Sequence, residues 1–562
     1  MALRLILGNS GSGKSYQLYQ HIIAESQQNP QTEYLVIVPE QFTMQTQKDL
    51  VTMHPKKGIM NIDVLSFARL AHRIFEEVGQ SHRAILDDEG KNLILRKIAG
   101  AYEKDLKVLG GNLKKQGYIS EVKSVISEFA QYGVDGTDLE DLIGGMKENS
   151  YLAWKLSDIQ ILSEGFYRYL SDKYITKEEL LHVLRQVAGK SEILKDAVIA
   201  LDGFTGFTPV QETLIGELLQ ICKDVWVTVT GDEREDLFVY EHPYQLFGLS
   251  KQMVTGLIRT AREAKVKIEA PLCLYQKPVY RYRNNPELAF LEEELFRYSR
   301  KTWQGVSDRV RILSARNPKE EAVYVAETIR RLVRTKGYRY REIAVIAPDL
   351  SLYAEEFEHA CERYEIPVFT DHKRSILLNS FVEYVRSLLS MAEKNYSYDS
   401  VFRYLRSGHA GFTMEEVDLM ENYVLALGVR GYKKWQEKWI RRTESVQEEE
   451  LEVLNHLRVR LVEQLDPLMF ILKKRKKSVL DITQAVCEFL EKEKLQEQLV
   501  AMEEMFQERG DVALAKEYAQ IYRVVMELFD KFVSLLGDER IAIKEYRELL
   551  DAGMEEARIG VI

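Results

Sequence analysis

Short apolar runs of strand length alternate with amphipathic stretches over the first part of the chain. Residues 3–8 are apolar and run into glycines, and residues 14–26 follow with helical spacing. Tyr34-Leu35-Val36-Ile37-Val38 is continuously apolar and stops at Pro39, the pattern of a parallel strand buried on both faces. Ile62 to Phe67 reads as a third strand and Ala68 to Val78 as the helix after it. From about 84 to 180 the period becomes purely helical, with Ile119, Val122, Val125, Ile126 and Phe129 on one face and Leu152, Leu156, Ile159 and Leu162 on another. Ala197–Leu201 and Val225–Thr230 then restore the strand pattern, and they end at Asp202 and at Gly231-Asp232.

A second α/β pattern begins near 308. Val310–Leu313, Ile343–Pro348 and Ile366–Phe369 have strand character, and a helix carries Ala322, Val325, Ala326, Ile329 and Val333 on one side. Beyond about 395 the chain reads as helical. The expected fold class is therefore α/β: a P-loop NTPase (RecA-like) parallel-sheet domain with a helical insertion, the beginning of a second RecA-like domain, and a large helical insertion. The expected boundaries are 1–83 with 181–300 for the first domain and 84–180 for its insertion. Residues 301–395 form the first part of the second domain, and 396–562 the later insertion. Arg558–Ile562 looks like the start of a strand, which leads us to expect a truncated chain.

Composition changes this picture little. The 562 residues suit three or four domains, and a formal charge of −10 argues against nucleic acid wrapped over the whole surface. It leaves room for a local basic channel, because salt screens one face from another. Cys222, Cys273, Cys361 and Cys487 are widely spaced and form no zinc pattern, so no metal site is expected on this chain. Isolated thiols fit a reducing cytoplasm. The absence of an uncharged apolar stretch of about 18 residues argues against a membrane span.

The sharpest chemistry lies at the start. Gly8-Asn9-Ser10-Gly11-Ser12-Gly13-Lys14-Ser15 matches G-x-x-x-x-G-K-[ST] and sits between a strand and a helix. Its glycines let backbone N–H groups point at phosphate oxygens, Lys14 adds a charge near the β- and γ-phosphates, and Ser15 is placed for Mg²⁺. ATP with Mg²⁺ is the expected ligand. Such motors also need a second strand ending in Asp, and a Glu that orients the attacking water. Asp202 fits the first role, with a strand-end cap as its bland alternative. Gly203 follows where the Glu should stand. Losing that residue costs a factor of roughly 10² to 10⁴ in rate, so the expected hydrolysis is weak or absent and no residue is assigned as catalytic.

With these residues in view, the chain resembles the AddB family of helicase–nuclease subunits, related to RexB and to UvrD-like superfamily 1 helicases. The likeness rests on Leu7–Ser15, Val38-Pro39-Glu40-Gln41-Phe42-Thr43, Val64–Ala71 and Asp202-Gly203-Phe204-Thr205-Gly206-Phe207-Thr208-Pro209, then on Tyr338–Val345 through Tyr364–Phe369. Against an active motor, the Asp-Glu-x-Gln box reads Asp202-Gly203-Phe204-Thr205 and the Gly-Asp-x-x-Gln box reads Gly231-Asp232-Glu233-Arg234-Glu235. The loop at Gly8 leaves no room upstream for an adenine-reading Gln. The resemblance implies a helicase-like subunit without its own motor that processes double-strand DNA ends. It would scan single-stranded DNA for a Chi signal beside an AddA-type partner that supplies the motor. It implies an iron–sulfur cluster and a nuclease only in a C-terminal part that this chain lacks.

Ligands of open α/β sheets sit outside the carboxyl ends of the strands. The loops there carry Gln41, Phe42, Thr43, Ser66, Phe67, Phe204 and Phe207, the expected contacts to single-stranded and duplex-end DNA. Aromatic rings stack bases while polar groups take phosphates. His72 is a weaker candidate. Phe67 and Phe207 read equally as core, and Arg69, Arg73 and the Lys473–Lys477 run read first as solvated helix faces. Two other functions stay open from sequence: an active superfamily 1 helicase with an unrecognised base, and a small-molecule P-loop kinase, which the second α/β pattern disfavours.

Overall fold

Apolar strands buried on both faces need helices above and below a parallel sheet. The computed structural model, which describes residues 1–79, 84–112, 117–147, 150–170, 174–307, 309–370, 373–442 and 447–560, has this architecture. In chain order the strands are β1 (Ala2–Gly8), β2 (Tyr34–Ile37), β3 (Ile62–Leu65), β4 (Ala84–Leu86), β5 (Tyr174–Thr176), β6 (Val198–Leu201), β7 (Asp224–Thr230), β8 (Lys267–Ile268), β9 (Leu272–Leu274), β10 (Lys373–Ser375) and β11 (Arg558–Gly560), the last two forming an antiparallel pair. The main sheet runs β3-β2-β6-β7-β1-β8, with β9 also on β1, and every pairing is parallel. β4 and β5, which lie inside the stretch 84–180 read as helical from the sequence, form a separate parallel pair among the described residues. β7 separates β1 from β6, with Gly8 opposite Thr230 and Leu201 opposite Val227. That register sets the end of β1 and the end of β6 on one edge.

Period-two alternation sorts the strand side chains between two cores. Leu3, Leu5, Leu7, Leu35, Ile37, Ile199, Leu201, Val225, Val227 and Val229 face one side. There they meet helix α3 (Phe67–Val78) and the helices Pro209–Ile221 and Gly248–Glu263. Ile6, Tyr34, Val36, Val198 and Ala200 face the other, under α1 (Lys14–Gln28) and α2 (Thr43–Met53). The α/β class and the order of the first strands thus agree with the pattern in the sequence. Thr208 and Gln211 form a reciprocal cap with Pro209 in the first turn, which fixes where the helix after β6 begins.

The chain divides into two compact units. One comprises residues 1–86, 124–147 and 170–312 and contains the sheet. The other comprises 87–123, 148–169 and 313–562 and is mostly helical. In the helical unit Asp158 is fully buried. Its carboxylate accepts the N–H groups of Lys107, Val108 and Leu109 at 2.9, 2.7 and 2.8 Å, so a buried charge organises a turn. No helix of the described residues is long and apolar enough to cross a membrane.

One expectation fails. Val310–Leu313, Ile343–Pro348 and Ile366–Phe369 enter no strand ladder among the described residues. The helix Pro318–Lys336 agrees with the sequence pattern, and with Leu350–Arg363, which the sequence reading missed, it packs Ala322, Ala326, Ile329, Ala360 and Cys361 around Ile366. Ile346 and Phe369 remain exposed. A strand exists only with a hydrogen-bonded neighbour, and apolar composition alone does not supply one.

His409, buried in the helical unit, lies 2.9 Å from the Ser380 hydroxyl. Burial pushes its imidazole down to about 4, against a weaker opposing hydrogen bond from Gln498. The unfolded chain takes up this proton near pH 6.5 and the folded one does not until about 4. The group therefore leaves stability unchanged above pH 6.5 and lowers it as the pH falls toward 4, by up to about 3 kcal/mol. Urea unfolding at pH 7 and pH 5 should show a drop that is smaller in His409→Gln; an identical drop in both proteins refutes the assignment.

Candidate nucleotide-binding site

β1 ends in Gly8, and the chain turns through Gly11 (φ 79°) and Gly13 (φ 97°), both left-handed, before α1 starts at Lys14. Residues with a Cβ rarely adopt that backbone. Gly13 precedes α1 without any side-chain cap, so the first N–H groups of the helix stay open toward an anion. The Ser12 hydroxyl is buried with no hydrogen-bond partner, and a phosphate oxygen would satisfy it. Lys14 Nζ donates to the carbonyls of Gly8 at 3.1 Å and Asn9 at 2.8 Å. Burial is the main cause that pushes the Lys14 ammonium down to about 8, and Arg281 adds to it while Asp202 and Glu292 oppose it. Gly8, Asn9, Ser10, Gly11, Ser12, Gly13, Lys14 and Ser15 thus form one cradle whose geometry fits phosphate.

Asp202 follows β6 on the same edge and is 4% exposed. Its Oδ1 accepts the hydroxyls of Ser15 at 3.0 Å and Thr228 at 2.6 Å. Its Oδ2 accepts the Tyr19 hydroxyl at 2.6 Å. The Tyr19 hydroxyl also lies 3.4 Å from Thr46 Oγ1. The network raises the Tyr19 phenol well above its usual value, through burial first and then Asp202. The motif identifies Ser15 and suggests Asp202. Tyr19 and Thr228 escaped notice in the sequence, and the only signal for Tyr19 is its place one helical turn beyond Ser15. Among the described residues no group of three or more His, Cys, Asp or Glu could hold a metal ion.

A second set was also missed. The segment after β9 crosses the cradle: Arg281 N donates to Gly11 O at 3.1 Å, and Asn9 Nδ2 donates to Glu292 Oε1 at 3.3 Å. A Cβ on Gly11 would lie 2.7 Å from that of Arg281, and one on Gly8 would lie 2.6 Å from the Leu274 carbonyl. These glycines therefore permit close approach as well as the turn. Nothing in the Tyr280–Arg283 sequence announces this position.

The expected DNA-facing residues divide. Gln41 and Phe42 are exposed, Phe204 and Phe207 are half-buried, and Thr43, Ser66 and Phe67 are buried. Thr43 donates to Glu40 O and Ser66 caps α3 by accepting from Arg69 N. Phe204 links Phe67 and Phe207, with ring centroids 5.6 and 5.2 Å apart. A Cβ on Gly203 would touch Pro39 and Phe42, so the loops after β2 and β6 meet. His72 and Arg69 are exposed, whereas Arg73 pairs with Glu33 and Asp63. In the substituted box after β7, Asp232 is buried and bonded to Arg234 at 2.6 Å and Arg297 at 2.8 Å. The Arg234 hydrogen bond is the chief reason its carboxyl lies well below the usual range. In the basic run, Lys477 caps the carbonyls of Leu472 and Lys474, and Lys473 sits over the Tyr432 ring at 3.3 Å. Both are structural.

Residues 5–292 match the family model described as "ADDB, N-terminal". The whole chain is 41% identical to a Lachnoclostridium phytofermentans protein over 568 residues, and 33% identical to proteins of Clostridium novyi and Acetivibrio thermocellus over 571 and 575. All three are named as a subunit of an ATP-dependent helicase/deoxyribonuclease. Each alignment covers 100% of this chain and 49–50% of the relative, so the chain spans about half the length of the curated relatives it matches.

Gly11→Ala should destabilise by about 1–2 kcal/mol from its left-handed backbone, with a further cost from the Arg281 stem. Arg281→Gly should relieve the second part only. A double-mutant cycle in urea should give a coupling of about 0.5 kcal/mol or more; strict additivity would show that the crossing segment does not rest on the loop.

Proposed function

The chain belongs to the AddB family, and from that premise we propose that it is a helicase-like, motor-inactive DNA-binding part of a heterodimeric helicase–nuclease that processes double-strand DNA ends for repair. One observation carries the reading: an intact phosphate cradle stands beside Asp202 at the end of β6, and the residue after Asp202 is Gly203 rather than a water-activating Glu. Gly11, Gly13, Ser12 and Lys14 hold the phosphates of ATP, and the carboxylate of Asp202 fixes Ser15 beside them. No side chain next to Asp202 takes a proton from water. The Arg234 and Arg297 bonds around Asp232 tie up the other box in a local ion pair.

In this proposal an AddA-type subunit supplies the motor, and single-stranded DNA passes the carboxyl edge of the sheet. Gln41 and Phe42 face the strand there, and Phe204 and Phe207 extend the aromatic surface. Thr43, Ser66 and Phe67 support these loops from below. Scanning for a Chi-type signal and a cytoplasmic location belong to the same reading. So does the division into a first RecA-like domain at 1–83 and 181–300, its insertion at 84–180, and further domains at 301–395 and 396–562. The nuclease and an iron–sulfur cluster would belong to other parts of the assembly.

The purified chain should bind ATP through Lys14 and hydrolyse it only at background rate, with or without single-stranded DNA. DNA-stimulated turnover that disappears in Lys14→Ala would overturn the motor-inactive reading in favour of an active helicase. Phe42→Ala should weaken binding of a single-stranded oligonucleotide by about 1 kcal/mol, roughly fivefold, at low salt. Phe42 is 47% exposed, so the melting temperature should hold; unchanged affinity would move the strand elsewhere.

A further inference from the structure

We propose that this cradle grips nucleotide phosphates without the help of a divalent cation, because Tyr19 and Thr228 have taken over the carboxylate that would anchor one. The inference rests on the nucleotide-binding reading and refines it. A carboxylate offers about four acceptor positions. At Asp202 three are filled by hydroxyl donors on Ser15, Thr228 and Tyr19, at 3.0, 2.6 and 2.6 Å. The last two are short, charge-assisted hydrogen bonds, the kind least readily surrendered. Their donors are themselves buried, Tyr19 at 6% and Thr228 at 4% exposure, so neither can turn to water if displaced.

Mg²⁺ in a phosphate site keeps several waters and holds them through nearby carboxylates. Here the residue after Asp202 is Gly203, and no second carboxylate follows it. The cation would retain the phosphates and Ser15 as its anchors. The positive charge that phosphates need is supplied instead by the protein: the open N-terminus of α1, Lys14, and Arg281, whose backbone is bonded to Gly11. Tyr19 and Thr228 are thus positioning residues that convert a cation-anchoring acid into a fixed tie between α1, β6 and β7.

The test is ATP affinity of the chain, measured by titration calorimetry with excess MgCl₂ and with EDTA. Wild-type affinity should agree between the two conditions within about threefold, and Lys14→Ala should lose binding in both. Tyr19→Phe keeps the ring and removes the third donor, so Mg²⁺ should now tighten binding by about tenfold. Circular dichroism confirms that this variant is folded, and the wild-type comparison decides the question without it. Lys14-dependent binding that is lost in EDTA would overturn the inference while leaving the nucleotide reading standing. Absence of binding in both conditions would overturn both.

Discussion

A carboxylate buried at the end of a parallel strand is the constraint on which the first unit turns. Removing an unpaired carboxylate from water costs several kcal/mol even after relaxation. Asp202 avoids this cost only because hydroxyls from three elements converge on it: Ser15 and Tyr19 on α1, and Thr228 on β7. Each hydrogen bond to a charged group contributes about 1.5–3 kcal/mol. The carboxylate therefore fixes the angle at which α1 leaves the phosphate loop and the register of β6 beside β7. The loop is tied to that charge through Ser15 at its end.

The same edge is closed from the other side by backbone. Gly8 and Gly11 lack the Cβ atoms that would collide with Leu274 and Arg281, so the segment after β9 lies flat across the loop. The glycines of the cradle do two things at once: they aim N–H groups inward and admit a covering segment. Asn9 shows this combined use, since its carbonyl receives Lys14 while its side chain reaches Glu292. A phosphate entering the cradle meets a lysine already held and a serine hydroxyl still unpartnered.

Much of this was legible in the sequence because it is local. β1, β2, β6 and β7 are apolar runs of strand length, and the phosphate loop declares itself by spacing. The carboxylate at position 202 could be named, but its partners could not, since Thr228 and Tyr19 lie 26 and 183 residues away along the chain. Arg281 and Glu292 were hidden for the same reason. The apolar segments at 343–348 and 366–369 misled in the opposite direction. Their composition fits a strand, yet a strand is a relation between two segments, and no ladder reaches them among the described residues. The aromatic loops could be named from the sequence, but only the structure sorts them by burial, sending Phe67 inward and leaving Phe42 outside.

Under the motor-inactive reading proposed above the phosphate loop would be easy to regard as a relic, but the surrounding bonds give it a structural use. In a working motor the second-strand acid must stay available to a metal-held water, so surrounding it with short hydroxyl bonds would slow the enzyme. With Gly203 rather than a Glu beside it, Asp202 would be released from that duty under the proposed reading and could serve as a structural tie. The Tyr19 and Thr228 hydroxyls hold that corner in place. A rigid carboxyl edge would suit the strand-contacting surface proposed above, because a site works best when its supporting loops hold still. Gly203 and the tie from Tyr19 through Asp202 to Thr228 thus fit one proposal, in which the edge keeps its shape without a water-activating Glu beside it.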